Sequence, residues 1–364
     1  MPIDLFAPFS IRGLQLPNRF MRSATYDRTA DPSGAVTDAS LAIYDALGRG
    51  NIGLIVTAYA FIAEAGRAGY GQYGIHSNQM IPGLRQMVKL AHQGNSKIAV
   101  QIVHTGLNIN AAFLREKGTS AMVVSRIDDI DKPQREMSEA DIQSIIEQFA
   151  AATIRAREIG FDAVQLHGAH GFLISQFQSP LFNHRTDKWG GNPENRRRFH
   201  LEVIRRVRRA VGPDFPLLIK YGAWDDREEG LTLAEGVETA RQMVDAGIDG
   251  IEVSVGVGSA TKPVLADAPE RPLFRDLTVA VKRAVTVPVA LVGGVRSLAL
   301  STDIINSGDA DMISMSRPFI REPGLIARWQ TGDQTSATCI SCSKCMGAGP
   351  FLCPEEQRQK QSAQ

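Results

Sequence analysis

Ile52-Gly53-Leu54-Ile55-Val56 is an unbroken apolar run. A strand with one wet face alternates apolar and polar residues. A run without alternation is buried on both faces, the condition of a parallel strand with helices packed outside the sheet. Seven more short, β-branched apolar segments read the same way, at residues 19–24, 97–103, 161–167, 215–221, 248–254, 287–292 and 310–316, with 52–58 as the second of the series. Helix signals lie between them. Ile142, Ile145, Ile146 and Phe149 follow i, i+3, i+4, i+7 behind a capping box at Ser138 and Asp141. Thr232 with Glu235 repeats that start, and Asn192-Pro193 supplies an N-cap followed by proline at the first helical position. Eight strand–helix units predict a single α/β TIM barrel over residues 1–335, with insertions at about 104–137 and 255–273. A short cysteine-rich tail, 336–364, follows. A doubly wound sheet would need a glycine-rich fingerprint after its first strand, and Ser23-Ala24-Thr25-Tyr26 is not one.

Composition narrows the partners. Forty Lys and Arg oppose 39 Asp and Glu, a net charge of +1, so no whole-chain field draws the protein to nucleic acid or an anionic membrane. With 43% hydrophobic and 22% charged residues the chain can bury a full core. No apolar run approaches the roughly 20 residues of a bilayer-spanning helix. Met1-Pro2-Ile3-Asp4 has neither the basic nor the apolar region of a secretion signal, so a cytoplasmic location is expected. All four cysteines fall between Cys339 and Cys353, which suits a metal or redox site better than a disulfide framework.

In a barrel the residues just past each strand converge on one mouth. Those positions are Thr25 and Tyr26, Thr57, Gln101 and His104, His167 and His170, Lys220, Ser254, Gly293 and Gly294, and Ser316 and Arg317. His167 and His170, three residues apart, suit two donors aimed at one substrate carbonyl oxygen, withdrawing electrons from a conjugated double bond. A zinc pair is the rival, and it lacks a third ligand at short spacing. Gly293, Gly294 and Arg317 suggest a phosphate clamp, a tight turn being the plainer alternative. Lys220 at the end of the fifth strand would be an unpaired cation unless something anionic, such as a reduced flavin, lies against it.

The segment from His167-Gly-Ala-His170 through Ser179-Pro-Leu-Phe-Asn-His-Arg-Thr-Asp-Lys-Trp-Gly-Gly191 to Asn195-Arg196 resembles the old yellow enzyme family of FMN-dependent ene-reductases. The resemblance extends from Leu5-Phe-Ala-Pro8 to Ser316-Arg317-Pro318. It is most similar to the barrel of 2,4-dienoyl-CoA reductase and trimethylamine dehydrogenase. It implies FMN as cofactor and hydride passed from NAD(P)H, or another donor, through flavin N5 to the β-carbon of an unsaturated carbonyl or enoyl thioester. It implies FMN contacts at Ala24, Thr25, Tyr26, Thr57, Gln101, Lys220, Gly293, Gly294, Ser316 and Arg317, and a substrate site at His167, His170 and Tyr26. An amine-oxidising flavoprotein and a non-catalytic flavin-binding barrel are the alternatives, and a homo-oligomer is left open. Phe172 stands where the family has its proton-donating tyrosine, and a phenyl ring has no proton to give. Either Tyr26, Tyr70, Tyr221 or a water takes over, or the oxidative half-reaction is not the ordinary trans-hydrogenation of an enone.

Cys339-x2-Cys342-x2-Cys345-x7-Cys353-Pro354 resembles the relatives' 4Fe-4S segment with a shorter last gap. Zinc held by the four thiolates, or four reduced thiols, are the rival readings. The chain ends at Gln364. The large relatives' further flavin and nicotinamide domains are therefore not expected, and a cluster would call for a separate electron-donor protein.

Overall fold

The computed structural model describes residues 2–257, 270–346 and 352–355. Eight parallel strands form the barrel: β1 (Phe20–Arg22), β2 (Leu54–Val56), β3 (Lys97–Val103), β4 (Ala163–Gly168), β5 (Leu217–Gly222), β6 (Gly250–Ser254), β7 (Val289–Val292) and β8 (Met312–Met315). Pairing runs β2-β1-β8-β7-β6-β5-β4-β3, and β2 also pairs with β3, so the sheet closes on itself. Every strand lies inside its predicted segment or passes its end by one residue. The predicted helix starts are all present: Ser138 and Thr232 form capping boxes, and Asn192 caps Pro193–Val211. Ile142, Ile145, Ile146 and Phe149 are all on the buried face of Glu139–Ile159.

The first insertion folds into a helix, Ala111–Lys117, and a parallel strand pair, Ala121–Val123 with Gln134–Glu136. Most of the second predicted insertion lies outside the described residues. A hairpin, Phe9–Ile11 with Leu14–Leu16, turns through Arg12 and Gly13, both at positive φ (46° and 80°). That two-residue turn matches the twist of its strands.

Inside the barrel the side chains change character with height. Met21, Leu54, Ala99, Ala163, Leu218, Ala290 and Met312 pack with Ile11 and Leu16 of the hairpin into one apolar plug. Two residues on, the next inward positions of five strands are Ser23, Gln101, Gln165, Lys220 and Ser314, and Glu252 takes that level on β6. Period-two alternation thus stacks an apolar floor under a polar level. Two residues further stand His167, Ser254, Thr25 and Ser316, at the mouth. Among the described residues no helix is long and apolar enough to cross a membrane.

Candidate functional site

The polar level is a connected chain. Gln101 Nε2 donates to Gln165 Oε1 (2.7 Å), and Gln165 Nε2 donates to Glu252 Oε2 (3.0 Å). The other carboxylate oxygen of Glu252 accepts from Ser314 Oγ (2.7 Å) and from Lys220 Nζ (3.3 Å), which also reaches Ser23 Oγ (2.6 Å). All six residues are buried. This corrects the sequence reading of Lys220 as a cation in need of an outside anion: Glu252 is its partner. One polar atom of the chain is left over, since Gln101 Oε1 is buried without a hydrogen bond. Replacing Glu252 by leucine strands Lys220, and losing one member of a buried pair costs about 3–5 kcal/mol. A urea unfolding midpoint equal to that of the wild type would contradict the pairing.

Above this level His167 and His170 face each other with ring centroids 5.2 Å apart. The chain reaches this arrangement by placing His170 and Gly171 in succession at positive φ (59° and 70°). A non-glycine residue holds that conformation only when its surroundings fix it. Here Asn108 Nδ2 donates to the carbonyls of His170 (3.2 Å) and Gly171 (2.8 Å), and the His170 N–H donates to Val255 O (3.1 Å). The His170 Nε2 is paired with Ser254 Oγ (2.8 Å), whereas His167 Nδ1 is buried with no partner. Burial, helped by the Lys220 ammonium, lowers His170 to about 3; burial, His170 and Lys220 hold His167 well below the usual imidazole range. Both rings are neutral near pH 7, each with one N–H to donate and one lone pair. His104 is not part of the pair. It is buried under the Glu64–Gly66 turn, where its Nδ1 accepts from the Gly106 N–H (3.2 Å).

Aromatic rings wall the histidines. Phe172 is 4.6 Å from His167, Tyr59 is 5.3 Å from Phe172 and 5.9 Å from His167, and Tyr26 is 4.8 Å from Tyr59, all centroid to centroid. The Tyr26 hydroxyl donates to Tyr70 O (2.6 Å). Two tyrosines that sequence offered as substitutes for the Phe172 position stand elsewhere. Tyr221 is fully buried, donating to Gly236 O (3.0 Å) and accepting from Gln178 Nε2 (2.7 Å); Tyr70 is exposed and bonded to the Glu116 carboxylate. Tyr59 escaped the sequence reading because the survey of strand ends stopped at Thr57, two residues earlier.

At the opposite side of the mouth Gly293 and Gly294 have φ of 100° and 83°. A Cβ on Gly294 would fall 1.7 Å from Arg271 O. The N–H groups of Arg296 (2.5 Å) and Ser297 (2.7 Å), which open the helix Leu298–Asn306, both donate to the Glu270 carboxylate. They form an anion-binding end of the kind expected of a helix N-terminus. Thr25 Oγ1 and Ser316 Oγ are 2.8 Å apart beside it.

Over residues 4–336 the sequence matches the NADH:flavin oxidoreductase / NADH oxidase family. The chain belongs to this family. An NADPH dehydrogenase of Geobacillus sp. is 33% identical over 326 residues, 89% of this chain and 92% of its own length. An NADH oxidase of Thermoanaerobacter brockii is 31% identical over 352 residues, 96% of this chain and 54% of its own length. The chain therefore spans about half of the second relative and nearly all of the first. Among solved structures, a 2-naphthoyl-CoA reductase in complex with 2-naphthoyl-CoA superimposes with a TM-score of 0.87 at 26% identity, over 95% of this chain and 54% of that one.

A flavin of the kind this family uses fits the donor set. Gln101 Oε1 needs a donor, which a flavin pyrimidine edge has, and the Arg296 and Ser297 N–H groups after Gly294, which hold the Glu270 carboxylate here, show that this end takes an anion, the charge a phosphate carries. Arg317 is turned the other way: its guanidinium donates to Ser341 O (3.2 Å) and Ser343 Oγ (2.9 Å), tying the tail to the barrel. Cys339, Cys342, Cys345 and Cys353 are free thiols that line one cavity with Arg317 and Arg321. Burial, and for Cys345 the neighbouring Cys339, raise the Cys339 and Cys345 thiols. Among the described residues no group of three or more His, Cys, Asp or Glu is set to hold a metal ion, so the cysteines are gathered without ligand geometry.

Proposed function

We propose that this chain is an FMN-dependent oxidoreductase that draws on NAD(P)H, or on a separate electron-donor protein, to reduce the C=C bond of an α,β-unsaturated carbonyl compound or enoyl thioester in the cytoplasm. The observation that carries the reading is the pair of neutral imidazoles, His167 with its unclaimed Nδ1 and His170 steadied by Ser254, at the mouth of a barrel of this family. FMN, when bound, supplies a carrier that takes hydride from a nicotinamide and gives it to an activated carbon.

His167 and His170 donate to the substrate carbonyl oxygen, which leaves the β-carbon electron-poor. Gln101, Thr57 and Lys220 would hold the pyrimidine side of the flavin, and Ala24, Thr25 and Tyr26 its other flank. Gly293, Gly294 and Ser316 would cradle the phosphate, with Arg317 behind them. Phe172 and Tyr59 exclude water from the carbonyl, which strengthens each donated bond. The reading is tested by anaerobic titration: NAD(P)H should bleach the yellow protein and an enone should restore the colour. The same rings suit a cationic amine, which favours amine oxidation as the second reading. Bleaching by an amine would support it, and a protein that takes up no FMN would remove both.

For the tail, residues 336–364, we propose an iron–sulfur cluster on Cys339, Cys342, Cys345 and Cys353. Its support is the shared cavity and the short ligand spacing. No step of the reaction is assigned to it. Protein isolated without oxygen should then contain about four iron and four sulfide per chain. One zinc without iron would make the site a structural knot, and neither metal would leave four thiols.

A further inference from the structure

We propose that Tyr59 is the proton donor of this site, an assignment that rests on reading the His167–His170 mouth as a carbonyl site. Adding hydride to the β-carbon of an enone leaves an electron pair at the α-carbon, and turnover needs a proton there. Among the described residues, the hydroxyls near the histidines are committed elsewhere with one exception. Ser254 is paired with His170, Tyr26 donates to Tyr70 O, Tyr70 itself is bonded to Glu116, and Tyr221 lies between Gly236 and Gln178. The Tyr59 hydroxyl makes no hydrogen bond among the described residues, although its ring is held on three sides by Tyr26, Phe172 and His167. A fixed ring with an unspent O–H at the rim of the carbonyl site is the arrangement a general acid requires.

Burial also raises the Tyr59 phenol well above its ordinary value, so the proton is present at neutral pH. Phe172, beside it, contributes packing only. In the step, hydride drawn ultimately from NAD(P)H forms the C–H bond at the β-carbon. The π pair moves to the α-carbon and takes the proton of Tyr59 Oη, whose O–H bond breaks. The tyrosinate is reprotonated from water, so one NAD(P)H and one proton are consumed for each double bond reduced.

The test compares wild type and Tyr59→Phe, each loaded with FMN, reduced anaerobically with NADPH and mixed with 2-cyclohexenone. Reoxidation by the enone should slow by at least about 10²-fold in the variant, the lower end of what a well-placed general acid contributes. In parallel, wild-type protein carrying [13Cζ]tyrosine should show its Tyr59 resonance, assigned by its absence from Tyr59→Phe or from Tyr59→Leu, move on addition of cyclohexanone, an unreactive ketone. A variant rate indistinguishable from wild type, or a resonance unmoved at saturating ketone, overturns the assignment while leaving enone reduction intact. Wild-type protein that the enone does not reoxidise overturns the carbonyl reading and the donor together.

Discussion

With His167 and His170 both replaced by alanine, the protein is expected to keep FMN and to be reoxidised by an enone more slowly than either single variant, each of which should lose about 10²–10³-fold. The two rings lie above the polar level that would meet the flavin, so their loss addresses the substrate and spares the cofactor. The single variants should not be equivalent. His167 offers a nitrogen with no protein partner, whereas one nitrogen of His170 is already engaged by Ser254. Because both donors act on one oxygen, the double variant should fall short of the product of the singles. Stopped-flow rates over a range of enone concentrations measure the effect, and unchanged turnover in the double variant would refute the carbonyl site.

Gly294→Ala should yield protein with weakened FMN retention. The residue sits at φ 83°, and its new methyl would meet the backbone oxygen of Arg271 at 1.7 Å, an atom with no rotamer to retreat into. A strained backbone of this sort costs about 1–3 kcal/mol, which spent on binding is about 5- to 150-fold in Kd at about 1.4 kcal/mol per decade. Gly308→Ala is the control. It has a positive φ of 73° with nothing within 4 Å, so it should lose stability through strain and still bind FMN as wild type does. Titration of each apoprotein with FMN, followed by flavin fluorescence, separates the two; equal Kd values would remove Gly294 from the phosphate end.

The strands and the mouth were legible for a simple reason: in a parallel barrel both strand faces are buried, so each strand shows as an apolar run and its first polar residues mark the end that matters. Lys97–Val103 was bounded to the residue on that basis. The same rule hid Glu252. Its run, Ile251-Glu252-Val253, reads as a strand with one odd charge, and only the closed ring of strands sets that charge two residues below Ser254 and against Lys220. The register Lys220↔Glu252 is a tertiary fact that no local pattern encodes. Glu270 was missed likewise, because its bonds to Arg296 and Ser297 join segments 26 and 27 residues apart. For the tail, spacing foretold the gathering of the four cysteines and not the turn of Arg317 toward Ser341 and Ser343.

The central claim is that this mouth carries reducing equivalents from a nicotinamide to an unsaturated carbonyl. Anaerobic stopped-flow absorbance of the FMN-loaded protein tests it most directly, with the NADPH-reduced form mixed against 2-cyclohexenone and the oxidised form against trimethylamine. We predict that the enone restores the oxidised flavin spectrum in a single turnover and that the amine leaves the oxidised protein yellow; bleaching by the amine, with no response to the enone, would contradict the account.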